Sequence, residues 1–211
     1  MNEYANENEQ WEAIRDWWRK NGVQLVAIFA ISLAIGLGWR YWQGHQLEKK
    51  QQASQLFDQL LSVQASDPNS DLIPRIATEL ETDYARTSYA PLAALFEAKN
   101  AVAKNDLPLA EQKLLWAVDH AKATEIREIA KIRLARVLLA DKKPEQALAF
   151  LEKDNDKNFS PAIEQVKGDI YLTQGETAKA RTAYQNAFNS MPSSAALKKY
   201  VEMQLNQLPA N

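Results

Sequence analysis

Residues 161–194 read PAIEQVKGDIYLTQGETAKARTAYQNAFNSMPSS, and the reading of these thirty-four residues decides the fold. Gly168, Tyr171, Gly175, Ala180, Tyr184, Ala187 and Pro192 fall at spacings that suit two short helices joined by a tight turn at Gln174-Gly175. The physical reason is packing. A small residue on the first helix, Gly168, and another on the second, Ala180, let the pair cross closely. Tyr171, Tyr184 and Ala187 then fill the space between that pair and its neighbours.

Thirty-four residues with this pattern is the period of a tetratricopeptide repeat. The same frame slides backwards along the chain. Ala98, Ala110, Leu114 and Ala117 match in a unit starting near Pro91, and Ala135, Leu138, Ala147 and Leu151 match in a unit starting near Glu128. Equivalent alanines, Ala110, Ala147 and Ala180, are spaced by 37 and 33 residues. The two earlier units are degenerate, since each lacks the aromatic pair and the terminal proline. Their phase with the third carries the argument. Three units also form a stable stack where one hairpin could not bury its own apolar face. Ser194 to Leu208 sets Leu197, Val201 and Leu205 against Lys198, Lys199 and Glu202, the pattern of a capping helix with a polar outer side.

Upstream of the repeats, Asn21 to Trp39 is nineteen consecutive residues without a charge. As a helix it reaches roughly 29 Å, close to the ~30 Å hydrocarbon thickness of a bilayer. Trp17 and Trp18 precede it and Trp39, Tyr41 and Trp42 close it, so amphipathic rings stand at both boundaries. A buried soluble helix of this length would show a polar stripe, and a cleaved signal peptide would begin basic and end on small residues. Here the start is acidic and the exit is Trp39-Arg40-Tyr41-Trp42. The expectation is an uncleaved single-pass anchor. Its direction stays open, because Arg15, Arg19 and Lys20 before the span balance Arg40, Lys49 and Lys50 after it.

The fold class expected is therefore all-α, a single N-terminal transmembrane helix followed by a tetratricopeptide-like solenoid of helical hairpins. The division is a tail over 1–20, the span over 21–42, a connecting helix and turn over 43–70, and a repeat domain over 71–208. Within that domain the units lie near 91–127, 128–160 and 161–194, followed by the cap over 194–208. Asp71 is expected to cap a helix containing Ile73, Ile76 and Leu80. Further turns are expected at Asn105-Asp106, Asp141-Lys142-Lys143 and Asn155-Asp156.

Net charge is −2 with both signs interspersed, which leaves no basic footprint for nucleic acid. Zero cysteines exclude a disulfide framework and a thiolate metal site. His45 and His120 have no ligand spacing to acids or to each other, and no phosphate loop or nucleophile motif occurs. Glu79, Glu81 and Asp83 read as solvated charge at a helix end. No catalytic residue, cofactor site or metal site is expected. Two binding surfaces are. In a curved stack the first helix of each unit lines the inner side, which makes Leu92, Leu95, Lys99, Ile129, Ile132, Arg136, Gln165 and Asp169 a candidate polypeptide-binding groove. The alternative is that the chain's own helix over 71–82 fills it. In the span, Ala27, Ala30, Ala34 and Gly38 share one face and form a candidate helix–helix contact in lipid.

The whole layout resembles the YfgM family, ancillary subunits of the Sec translocon in Gram-negative bacteria. The residues that carry the resemblance are the acidic start (Glu3, Glu7, Asn8, Glu9), the exit Gly38-Trp39-Arg40-Tyr41-Trp42, and Tyr84-Ala85-Arg86-Thr87-Ser88-Tyr89-Ala90 opening the repeats. The resemblance implies an inner-membrane protein with a cytoplasmic tail and a periplasmic repeat domain. It implies association with the SecYEG channel, with the periplasmic chaperone PpiD and with unfolded or emerging polypeptides, besides membrane lipid. The implied role is non-enzymatic: newly translocated proteins are helped to fold or are handed over. The alternative from the residues alone is a structural scaffold in another envelope complex, such as division or outer-membrane assembly.

Overall fold

The computed structural model describes residues 3–68, 70–152, 156–192 and 194–209, with side chains from Trp11 onward except those of Ala13 and Asp16. Asn155, expected in a turn, and the side chains of Glu3, Glu7, Asn8 and Glu9 lie outside the described residues. All regular structure among the described residues is helical: α1 (Glu3–Ser66), α2 (Leu72–Asp83), α3 (Tyr89–Ala103), α4 (Leu107–His120), α5 (Thr124–Ala140), α6 (Pro144–Leu151), a 3₁₀ turn (Lys157–Phe159), α7 (Ser160–Thr173), α8 (Thr177–Ser190) and α9 (Ala196–Gln207). The chain divides into two compact units, Met1–Lys49 and Lys50–Asn211.

The first unit is helix. Within Trp17–Ser66 an apolar window with mean hydropathy 2.0 makes this the one helix, among the described residues, long and apolar enough to cross a membrane. Val26, Ile28, Phe29, Ile31, Leu33, Ile35 and Leu37 all point away from the chain. Two of its polar side chains are satisfied locally: Ser32 Oγ donates to the Ile28 carbonyl at 2.8 Å and Asn21 Nδ2 to the Trp17 carbonyl at 3.1 Å. In hydrocarbon, where no water can take these bonds, such back-bonding is what makes a hydroxyl tolerable. Trp39 and Trp42 pair at 5.3 Å between ring centres.

The second unit is a row of helical hairpins. Its first layer joins the end of α1 to α2 and α3: Ala53 and Leu60, both wholly buried, pack with Ile76, Ala77, Leu80, Ala90 and Ala93, and the Phe57 and Tyr89 rings meet at a tilt with centres 5.8 Å apart. The segment 43–70, expected as a connector, thus supplies core to the repeats. Two side-chain bonds fix it there, Tyr84 Oη to Gln52 Oε1 at 3.1 Å and Asn100 Nδ2 to Gln64 Oε1 at 3.0 Å. The start of α2 corrects one expectation. Asp71 makes no capping bond; Ser70 Oγ accepts from the Leu72 amide instead, at 3.3 Å.

A continuous core then runs from α3 to α7, built on Ala94, Ala98, Ala110, Leu114, Ala130, Leu134, Leu138, Ala147, Leu151, Val166 and Ile170. A third cluster joins α8 to α9 through Ala180, Tyr184, Ala187, Met191, Val201 and Leu208. Gly168 earns its place here. A Cβ on it would lie 2.5 Å from the Tyr184 ring, so only glycine admits that ring between α7 and α8. Lys198 closes the last joint, donating to the Met191 carbonyl at 2.9 Å with its ammonium over the Phe188 ring.

The three hairpin turns share one backbone geometry although their sequences differ. Each has a residue in the left-handed region: Asn105 and Lys142 at φ 60°, Gly175 at φ 77°. In each, the next amide reaches back five residues: Asp106 to Ala101 at 2.8 Å, Lys143 to Leu138 at 2.8 Å, Glu176 to Tyr171 at 2.9 Å. This is a Schellman-type closure, which satisfies carbonyls that a helix end leaves open. The same turn in three places is what a repeated hairpin requires. A side chain in this conformation costs roughly 1–2 kcal/mol, less for asparagine. Lys142→Gly should therefore raise stability by about 1 kcal/mol and Gly175→Ala lower it by a similar amount, read from chemical denaturation.

Candidate polypeptide-binding cleft

The most apolar concave feature of the repeat unit is an open cleft of about 300 Å³ between α3 and α5, floored by α4. From α3 come Leu95, Ala98, Lys99 and Val102; from α4, Leu107 and Leu114; from α5, Arg133, Arg136, Val137 and Ala140. Residues spaced by three and four line each wall because side chains at those intervals share a helix face. α2 contributes nothing to this lining. Its apolar residues face α1 and the other side of α3, through Ile76, Ala77 and Leu80.

Of the eight residues expected in a groove, Leu95, Lys99 and Arg136 meet in the cleft. Leu92 and Ile129 are half-buried and pack against the core, and Ile132 is buried within it. Gln165 and Asp169 stand on α7 and are engaged with Arg136: Arg136 Nη2 donates to Gln165 Oε1 at 2.8 Å, Gln165 donates in turn to Asp169, and Tyr184 Oη donates to Asp169 Oδ1 at 2.7 Å. Burial pushes the Asp169 carboxyl above its ordinary range, against the bonds from Tyr184 and Gln165, which favour its charge. The tyrosine hydroxyl is likewise held far above its usual pKa, by burial first and by Asp169 second. This chain of bonds ties the third repeat to the second.

Reading the sequence missed Val102, Leu107, Arg133, Val137 and Ala140, because the repeat frame placed the inner face too early on each helix. The cleft lies at the carboxyl halves of α3 and α5. The signal was present in the four-residue steps Leu95-Lys99 and Arg133-Val137.

Glu81, expected with Glu79 and Asp83 as solvated charge, belongs instead to a buried polar cluster. Lys113 on α4 donates to Glu81 on α2 (Oε1 3.0 Å, Oε2 2.8 Å) and pairs with Glu97 on α3 (Oε2 2.5 Å), with all three side chains about nine-tenths buried. One cation thus joins three helices. Burial pushes the Glu97 carboxyl upward, and Lys113 offsets this only in part. Burial also works against the Lys113 ammonium, but the bonds to Glu81 and Glu97 outweigh it and raise its pKa.

In the apolar helix Ala27, Ala30, Ala34 and Gly38 are all exposed, and a Cβ on Gly38 would meet no atom of the chain. His120 stacks on Trp116 at 4.0 Å with Nδ1 2.9 Å from the Trp116 carbonyl, which makes it a helix-end residue. Among the described residues no group of three or more histidines and acids is placed to hold a metal.

Helical hairpins stacked through a shared turn geometry define a protein of the tetratricopeptide-repeat class, and its amino-terminal helix is long and apolar enough to cross a membrane. The family model described as a tetratricopeptide repeat-like domain matches residues 15–210. The chain is 30% identical over 202 residues to the "Ancillary SecYEG translocon subunit" of Aggregatibacter actinomycetemcomitans, covering 96% of this chain and 97% of that one. It is 30% identical over 206 residues to the protein of the same name in Haemophilus influenzae (97% and 99% covered), and 28% over 208 residues to that of Escherichia coli K12 (99% of each). No solved structure matches. The chain belongs to the family of ancillary SecYEG translocon subunits, the YfgM family, and it does so from end to end.

The Lys113 cluster yields a measurable consequence. Lys113→Met leaves two buried carboxylates without a counter-ion and should cost about 3–5 kcal/mol at neutral pH. A carboxyl whose folded pKa is raised contributes stability at acid pH and loses it as pH rises through that pKa. The variant's deficit should therefore shrink on acidification toward the ordinary glutamate range. Denaturation midpoints across that range, compared with wild type, check it.

Proposed function

We propose that this chain is a non-enzymatic, single-pass inner-membrane subunit associated with the Sec translocon. The observation that carries the reading is the end-to-end similarity to proteins named as ancillary SecYEG translocon subunits, which spans both the apolar helix and the repeats. The apolar helix supports the membrane placement. In this reading the tail stands on the cytoplasmic side and the repeats in the periplasm.

Within that role the two halves of the chain do different work. The Ala27-Ala30-Ala34-Gly38 face docks against a channel helix, since small residues let backbones approach closely where lipid offers no hydrophobic drive. The repeat domain engages the chaperone PpiD and newly translocated chains, with the α3–α5 cleft as its receiving surface. Newly exported proteins are thereby helped to fold or are handed onward.

Site-specific crosslinking in membranes tests both halves. A photoreactive residue at Gly38 should capture a SecYEG subunit, and one at Val102 should capture PpiD or an emerging chain. Contacts only with cell-wall or outer-membrane machinery would overturn the reading. Ala34→Leu with Gly38→Leu adds bulk where the chain itself has open space, so co-purification of SecYEG should fall while the repeat domain melts as before.

A further inference from the structure

The cleft between α3 and α5 has a property that a general apolar groove lacks. Its floor is apolar, from Leu95, Leu114 and Val137, while Lys99, Arg133 and Arg136 stand exposed around it, one on the α3 wall and two on the α5 wall. Among the described residues none of these three makes an ion pair. Lys99 lies 5.9 Å from the Phe96 ring centre, and Arg136 donates to the Gln165 amide, with the Asp169 carboxylate acting on it through space. Asp169, the carboxylate beyond Gln165, already accepts from Tyr184 and Gln165. Three cations with no acid in ion-pair contact, two of them on one wall, are a local concentration of positive potential around an apolar floor in a chain whose net charge is −2.

We infer that the cleft takes a segment of another polypeptide in which an apolar side chain is flanked by aspartate or glutamate side chains. The inference rests on the polypeptide-receiving role proposed above and narrows it to a sequence class. Size and charge select this occupant. About 300 Å³ admits one or two apolar side chains, and not the paired acyl chains of an anionic phospholipid. Cations on both walls suit carboxylates on both sides of the inserted residue, which a chain passing through supplies and a single terminal carboxylate does not. Arginine adds direction, because its guanidinium accepts a carboxylate in a two-pronged geometry. Such pairs act mainly on orientation and partner choice, with the buried apolar side chain holding the complex.

The test uses the full chain in detergent micelles and fluorescence anisotropy of short labelled peptides: leucine flanked by two glutamates on each side, the same peptide with glutamines, and the same with alanine for leucine. The acidic leucine peptide should bind, both analogues should bind at least about tenfold more weakly, and added salt should weaken the first most. Lys99→Glu with Arg133→Glu should reduce binding by at least about tenfold without altering the melting transition, since both side chains are exposed and unpaired. Val102→Glu, a substitution at a residue 45% exposed, places a charge in the cleft and gives a second readout should the double variant fold poorly. Equal binding of the acidic and glutamine peptides, insensitivity to both variants, or binding of anionic lipid alone would overturn the inference. Co-purification of SecYEG with the same proteins separates the two claims. A wild-type chain that retains SecYEG yet binds no acidic peptide sinks the cleft and leaves the translocon role standing.

Discussion

Two short helices packed against each other still leave apolar surface on both outer sides, and no arrangement of the pair alone can cover it. The repeat unit of this protein is organised by that constraint. The side of α3 that α4 leaves open is covered by α2 and the end of α1; α5 covers α4; α8 ends against α9. The first and last elements are therefore as necessary as the repeats between them. The end of α1 supplies two fully buried residues, and α9 supplies Val201 and the contacts that close on Tyr184. The close-packed, alanine-rich interior follows from the same requirement, since helices that must touch neighbours on several sides come together only where side chains are small.

How much of this the sequence discloses depends on where the information is local. The third hairpin is legible because its close approach needs particular residues: Gly168 has no alternative beside the Tyr184 ring. The first two hairpins reach the same turn through Asn105 and Lys142, which signal the left-handed conformation weakly or not at all. The turns themselves are legible at Asn105-Asp106 and Asp141-Lys142-Lys143, but their membership of a repeat becomes visible only through phase with the third hairpin. The apolar helix is legible by length and composition, because the bilayer constrains both. The cleft was legible in part, as Leu95, Lys99 and Arg136. Its remaining residues depend on how far α3 and α5 slide past each other, a tertiary quantity that helix periodicity does not contain. The position of Asp71 shows the same limit on a smaller scale, for the cap fell to its neighbour Ser70.

The Glu81–Lys113–Glu97 cluster was the least legible element, and the reason is instructive. An acid near a helix end reads as solvated in isolation, and only a cation from a helix thirty-two residues later changes that. Buried ion pairs contribute little net stability compared with apolar packing, but an unpaired member is severely destabilising. The cluster therefore acts on register. A slip of α2 along α3 and α4 would strand at least one charge, so the three helices have one acceptable alignment. The Arg136–Gln165–Asp169–Tyr184 chain does the same between the second and third hairpins.

The substantial helix–helix contacts of the repeat unit all join elements no more than two apart in chain order. Contacts of such short sequence separation favour rapid, local folding, since little loop entropy must be spent before each is rewarded. Each hairpin has its docking partner present as soon as the next one has been made. A domain so arranged can complete itself hairpin by hairpin from its amino end outward, with only the last hairpin waiting for α9.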